Sequence, residues 1–170
     1  MAVCTLCPRR CGADRAVRAG VCGADDTLRV ARASLHLWEE PCLAGTRGSG
    51  TVFFAGCPLR CVFCQNYEIS RGVAGQEITT GRLAAIFLDL QAKGAHNINL
   101  VTPTHYVPHI VEALLDARSR GLALPIVYNC GGYELPETLR RLDRLVDIYM
   151  PDFKYFSPAL AQRYSSAADY

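Results

Sequence analysis

From residue 51 onward, short apolar runs alternate with longer amphipathic stretches, and that alternation restricts the fold more than any other feature of the chain. Thr51-Val52-Phe53-Phe54-Ala55, preceded by Gly48-Ser49-Gly50, has the length and residue types of a buried strand. Residues 80–93 then place Leu83, Ile86, Phe87 and Leu90 on one helical face. Thr79 or Thr80 can cap that helix and Gly94 can end it. A second strand is expected over 97–101, and a second helix over 107–120 with Ile110, Val111, Leu114 and Leu115 on one face. A third strand over 124–128 follows. A third helix starts near Pro136 and repeats Leu135, Leu139, Leu142 and Leu145. A fourth strand covers 146–150, and Ser157-Pro158 opens a last helical piece. The order predicts an α/β fold of about four βα units, with a parallel sheet and right-handed crossovers.

Folds of this kind gather function at the carboxyl ends of their strands. The polar residues follow that rule. Cys57 comes after the first strand, Thr102, Thr104 and His105 after the second, Asn129 and Cys130 after the third, and Asp152 and Lys154 after the fourth. One mouth can collect them all.

Nine cysteines are present, at 4, 7, 11, 22, 42, 57, 61, 64 and 130. An odd number, with no apolar core of a signal peptide at the N-terminus, argues against a disulfide framework and for metal chemistry in a reducing compartment. No apolar stretch reaches the roughly 18–20 residues of a membrane span. The net charge of +2 is too even for a nucleic-acid or membrane-surface footprint. A cytoplasmic protein is expected, with no nucleic-acid or membrane partner.

The first 45 residues differ in character and are read as a Cys-rich metal-binding segment, 1–45, ahead of a domain over 46–170. No sustained helix or strand periodicity is visible there, so a metal clip is a source of order. Cys4, Cys7 and Cys11, then Cys22, supply four thiolates. They suit either a closed structural zinc site or an auxiliary iron–sulfur cluster. Cys57, Cys61 and Cys64 form a second, tighter group on the loop leaving the first strand. Thiolates suit zinc, copper(I) or iron–sulfur clusters. Structural zinc closes with four ligands, whereas a cubane held by three cysteines keeps one iron open.

Other residues have plainer readings. Cys42 and Cys130 stand alone and read as packing residues, as does Trp38. His36 and His105 read as hydrogen-bonded structural histidines. Tyr67 and Tyr133 are candidate pocket walls. Asp152 and Lys154 can be an ordinary ion pair, and Asn129 before Gly131-Gly132 can be a turn residue.

The run from Gly50 to Cys57, then Arg60-Cys61-Val62-Phe63-Cys64-Gln65-Asn66-Tyr67-Glu68-Ile69-Ser70, resembles the radical S-adenosylmethionine (SAM) superfamily. Within it, the chain looks like the branch related to the pyruvate formate-lyase activating enzyme, and His36-Leu37-Trp38-Glu39-Glu40-Pro41-Cys42 fits an incompletely characterised group of that branch. The resemblance implies a partial (β/α) barrel and a 4Fe-4S cluster on Cys57, Cys61 and Cys64. It also implies S-adenosyl-L-methionine chelated at the open iron and cleaved to a hydrogen-abstracting 5′-deoxyadenosyl radical. By analogy with that branch the substrate would be a glycyl residue of a partner protein, with a small molecule equally open, and a flavodoxin- or ferredoxin-like donor would supply electrons. The alternative is an iron–sulfur module that carries electrons without turnover.

Phe63 would lie by the adenine, Asn129 would face the cofactor, and Asp152 and Lys154 would contact its methionine or ribose part. Many relatives carry Gly-Gly-Glu after the second strand where this chain has Thr102-Pro103-Thr104. The cofactor amino group then falls to threonine oxygens, Thr102 and Thr104, or to backbone carbonyls. The family barrel has six βα units against four counted here, so the chain is expected to be truncated at its C-terminus.

Overall fold

The computed structural model describes residues 3–72 and 74–170, so the first two residues of the 1–45 segment lie outside the described residues. Strand β1 (Arg29–His36) leads through the one-turn helix α1 (Pro41–Ala44) into β2 (Ser49–Phe54). After the cysteine loop come α2 (Tyr67–Ser70), β3 (Gln76–Glu77) and α3 (Thr80–Ala92). Then β4 (Ile98–Val101), α4 (Val107–Ser119), β5 (Ile126–Cys130), α5 (Pro136–Leu139), β6 (Ile148–Pro151) and α6 (Pro158–Ser165) follow in alternation. Among the described residues the strands form one six-stranded sheet in the order β3-β1-β2-β4-β5-β6.

The four strands expected from the sequence are parallel: β2 pairs with β4, β4 with β5, and β5 with β6. Two strands that the sequence reading lacks extend the sheet on the other side of β2. β1 pairs antiparallel with β2 and β3 antiparallel with β1. The segment before residue 45 thus contributes a strand to the sheet, between β2 and β3. Cys22, Ala24, Leu28 and Val30 lie in the same apolar core as Val52, Phe54, Leu100 and Tyr128.

Local chemistry accounts for the helices. Thr79 accepts a hydrogen bond from the Arg82 amide at 3.1 Å and caps α3, which buries Leu83, Ala84, Phe87 and Leu90. Helix α4 has a proline in its first turn and buries Ile110, Ala113, Leu114 and Ala117 against the sheet. Each large apolar side chain taken out of water contributes roughly 1.5–3 kcal/mol. The third predicted helix shrinks to one turn, α5, followed by a 3-10 turn over Arg140–Leu142. The chain must turn back to reach β6, and it does so through Arg144 in the left-handed region (φ 61°). Leu142 is fully buried, while Leu139 and Leu145 pack at the core's margin. At the β6 edge the apolar side chains of Ile148 and Tyr149 are exposed.

Candidate metal centre and cofactor cavity

A cavity of about 1060 Å³ opens at the carboxyl ends of the parallel strands. Ligand cavities run from roughly 300 to 1,000 Å³. Its wall includes Cys57, Cys61 and Cys64 from the loop after β2, and Thr102 and Thr104 after β4. Asn129 and Cys130 reach it from β5, and Asp152 and Lys154 from beyond β6. Phe63 lines it as well, so every residue singled out from the sequence as cofactor-facing borders one space.

The cysteine loop is held from several sides. Gly56 adopts φ 89°, and a side-chain carbon there would stand 2.6 Å from the Cys22 carbonyl oxygen. Only glycine permits that approach. It allows the Cys57 amide to donate to the Cys22 carbonyl at 3.0 Å. One step earlier, His105 Nε2–H donates to the Ala55 carbonyl at 2.8 Å. The His105 ring is buried, and that burial lowers its pKa to about 4. His105 is therefore a neutral structural histidine. Arg9 donates to the carbonyls of Pro58 (2.8 Å), Leu59 (3.3 Å), Ser165 and Ser166, tying the N-terminal segment to the loop and to α6.

The thiols differ in setting. Burial raises the Cys57 pKa, while the amides of Arg60 and Leu59 point at its sulfur and oppose the shift. Cys61 Sγ accepts from Ser165 Oγ at 2.9 Å, and Ser165 in turn takes the Tyr155 hydroxyl at 2.5 Å. The sequence holds no local sign of this pair, which α6 brings in from residues 155–165. Phe63 packs edge-on to Tyr155 and Tyr164 at the rim.

On the opposite wall, Thr102 sits at φ 56°, a conformation that costs a β-branched residue energy and that recurs at functional sites. Asp152 and Lys154 form an ion pair at 2.6 Å. Thr104 Oγ1 donates to Glu134 Oε1 at 2.7 Å and the Tyr128 hydroxyl to Oε2 at 3.0 Å. The nearby Cys130 thiol also favours the charged form of that carboxylate. Burial raises the Glu134 pKa to about 7, against the opposing effect of these donors. Glu134 is absent from the sequence reading because its partners are supplied by β5 and by the turn after β4.

Three expectations change. Trp38 is 90% exposed and Cys42 is exposed, so neither packs. Tyr133 lines the cavity as expected, whereas Tyr67 is exposed under the Arg71 guanidinium.

Cys4, Cys7, Cys11 and Cys22 do not line the cavity, and Cys22 adjoins the loop through its carbonyl. Backbone amides of Arg9, Ala13 and Val21, and Ala24 point at the sulfurs of Cys7, Cys11 and Cys22 respectively. A side-chain carbon at Gly20 would stand 3.3 Å from Cys11 Sγ and 3.5 Å from Cys22 Sγ, so those two sulfurs flank one point. Burial, and the nearby thiols, push Cys7 up to about 12. Among the described residues no three His, Cys, Asp or Glu side chains already close on one metal-ion position.

Residues 51–169 match the model of the radical SAM superfamily. The chain belongs to the radical SAM superfamily. It is also similar to an uncharacterized protein of Methanocaldococcus jannaschii, 30% identical over 175 residues, covering 98% of this chain and 50% of that protein. The chain thus spans about half the length of the curated relative it matches. No solved structure matches it significantly.

Radical SAM proteins carry a 4Fe-4S cluster and S-adenosylmethionine. The donor set here fits: three soft thiols face one space. A cubane spreads its cysteine ligands over separate irons, so the thiols must border one cavity rather than converge on one point. No helix among the described residues is long and apolar enough to cross a membrane.

Proposed function

We propose that this chain is the cofactor-binding part of a radical SAM enzyme, with Cys57, Cys61 and Cys64 as the cluster ligands. The observation that carries this reading is the shared cavity, which joins the three thiols to the ends of β4, β5 and β6. When a cluster is bound there, the chemistry supplied is one-electron reductive cleavage of S-adenosylmethionine. The chain's own residues bind and orient. Gly56 and His105 fix where the loop departs from β2. The Ser165 hydroxyl stabilises negative charge on the Cys61 sulfur. Phe63 offers an aromatic face at the rim for the adenine. Asn129, Thr102 and the Asp152–Lys154 pair offer polar groups to the methionine and ribose parts.

Three finer readings go with it. Cys4, Cys7, Cys11 and Cys22 hold a second metal, zinc or iron–sulfur, supported by the amides aimed at three of the sulfurs. The reaction is of the glycyl-radical-activating type on a protein substrate, supported by the likeness of residues 50–70 to the pyruvate formate-lyase activating branch. Electrons come from a flavodoxin- or ferredoxin-like donor in the cytoplasm.

Anaerobic reconstitution with iron and sulfide, reduction, and assay of 5′-deoxyadenosine from added S-adenosylmethionine test the reading. Product is expected. A cluster-loaded chain that cycles redox states and forms none is an electron carrier instead.

A further inference from the structure

The turn after β5 brings Glu134 to the cavity wall, where its carboxylate takes two hydrogen-bond donors, Thr104 and Tyr128, neither of them charged. Among the described residues no ion pair includes Glu134. The neighbouring carboxylate is different, since Asp152 is neutralised by Lys154. Thr104 and Tyr128 are buried, so the donors hold the carboxyl group in one place. The donors favour the carboxylate form, burial opposes it, and no cation among the described residues pairs with it. A neutral hydroxyl from a ligand would only add another donor, whereas a cationic group would also balance the charge.

We propose that Glu134 anchors the amino end of S-adenosylmethionine, accepting a hydrogen bond from its α-amino group; this rests on the radical SAM reading of the same cavity. Burial raises the Glu134 pKa to about 7, and a cationic group beside it would favour the charged form. The anchor also changes the role of Thr104. Its hydroxyl donates to Glu134, so it orients the carboxylate rather than accepting from the ligand itself. Thr104 is a positioning residue.

The test uses the full chain loaded anaerobically with iron and sulfide, and equilibrium dialysis against two ligands, S-adenosylmethionine and its analogue lacking the α-amino group. Glu134→Gln keeps the shape and removes the charge. It is expected to weaken S-adenosylmethionine binding by about tenfold or more, the usual worth of a charge-assisted hydrogen bond. It should leave the desamino analogue unchanged and iron content intact. Equal losses for both ligands, or no loss for either, overturn the proposal. If Glu134→Gln fails to load, Glu134→Asp decides it, because the charge stays but is drawn back by one methylene. S-adenosylmethionine is then expected to weaken while the analogue does not, and parallel changes overturn the idea. A wild-type chain that loads iron and binds neither ligand removes the radical SAM reading and this inference together. Wild-type binding that the variants leave undisturbed removes only the inference.

Discussion

The two cysteine groups of this chain are made of the same ligand but differ in whether they border the cavity. Cys57, Cys61 and Cys64 border it, whereas Cys4, Cys7, Cys11 and Cys22 line none of it. The groups touch through backbone, where the Cys57 amide donates to the Cys22 carbonyl. What separates them is position: the loop thiols border the cavity, where a metal could meet a ligand, and the N-terminal thiols do not. In the proposed function the N-terminal group is the brace and the loop group the reactive site.

The sharpest way to break this contrast is to exchange the two behaviours. Cys61→Ala is expected to abolish 5′-deoxyadenosine formation while the chain stays folded, measured by product assay beside circular dichroism. Persistent product in this variant would put the chemistry elsewhere. Next in size is Gly56→Ala, which sets a methyl group against the Cys22 carbonyl at a left-handed backbone position. A loss of about 2–4 kcal/mol in urea denaturation is expected, because both groups must shift together.

Arg9→Ala removes the side chain that holds the Pro58 and Leu59 carbonyls from the brace side. It should cost about 1–2 kcal/mol and raise hydrogen exchange over residues 57–64, with the rest of the sheet unchanged.

The smallest effect is the pH dependence of His105. Its folded pKa of about 4 lies below the ordinary histidine value of 6.5. The unfolded chain therefore binds the extra proton first, and stability falls as pH drops through that window. The melting temperature of the wild type should decline more steeply between pH 6.5 and 4 than that of His105→Gln.

The sequence made the parallel half of the fold legible for a physical reason. Val52, Phe54, Ile98, Leu100 and Ile126 are fully buried, so their strands read as short apolar runs bounded by turn residues. β1 is half-exposed and mixes Arg29, Arg32 and Ser34 with its apolar residues, which hides it from pattern reading. α1, α2 and α5 are single turns, too short for helical periodicity to show.

The candidate site divides the same way. Cysteine spacing and the strand-end rule point to every cavity residue that lies directly after a strand. Glu134 and Ser165 escape them, since each owes its place to partners distant in sequence: Thr104 for the first, Cys61 for the second.

The most direct test of the central claim is the iron and sulfide content of the reconstituted chain. It would be measured on the wild type, on the Cys57→Ala/Cys61→Ala/Cys64→Ala variant, and on the Cys4→Ala/Cys7→Ala/Cys11→Ala/Cys22→Ala variant. The account predicts that the first variant loses about four irons per chain, one 4Fe-4S cluster. It also predicts that the second variant keeps those irons and loses only the metal of the brace. A loop variant that retains the full iron content of the wild type would contradict the assignment of Cys57, Cys61 and Cys64 as the cluster ligands.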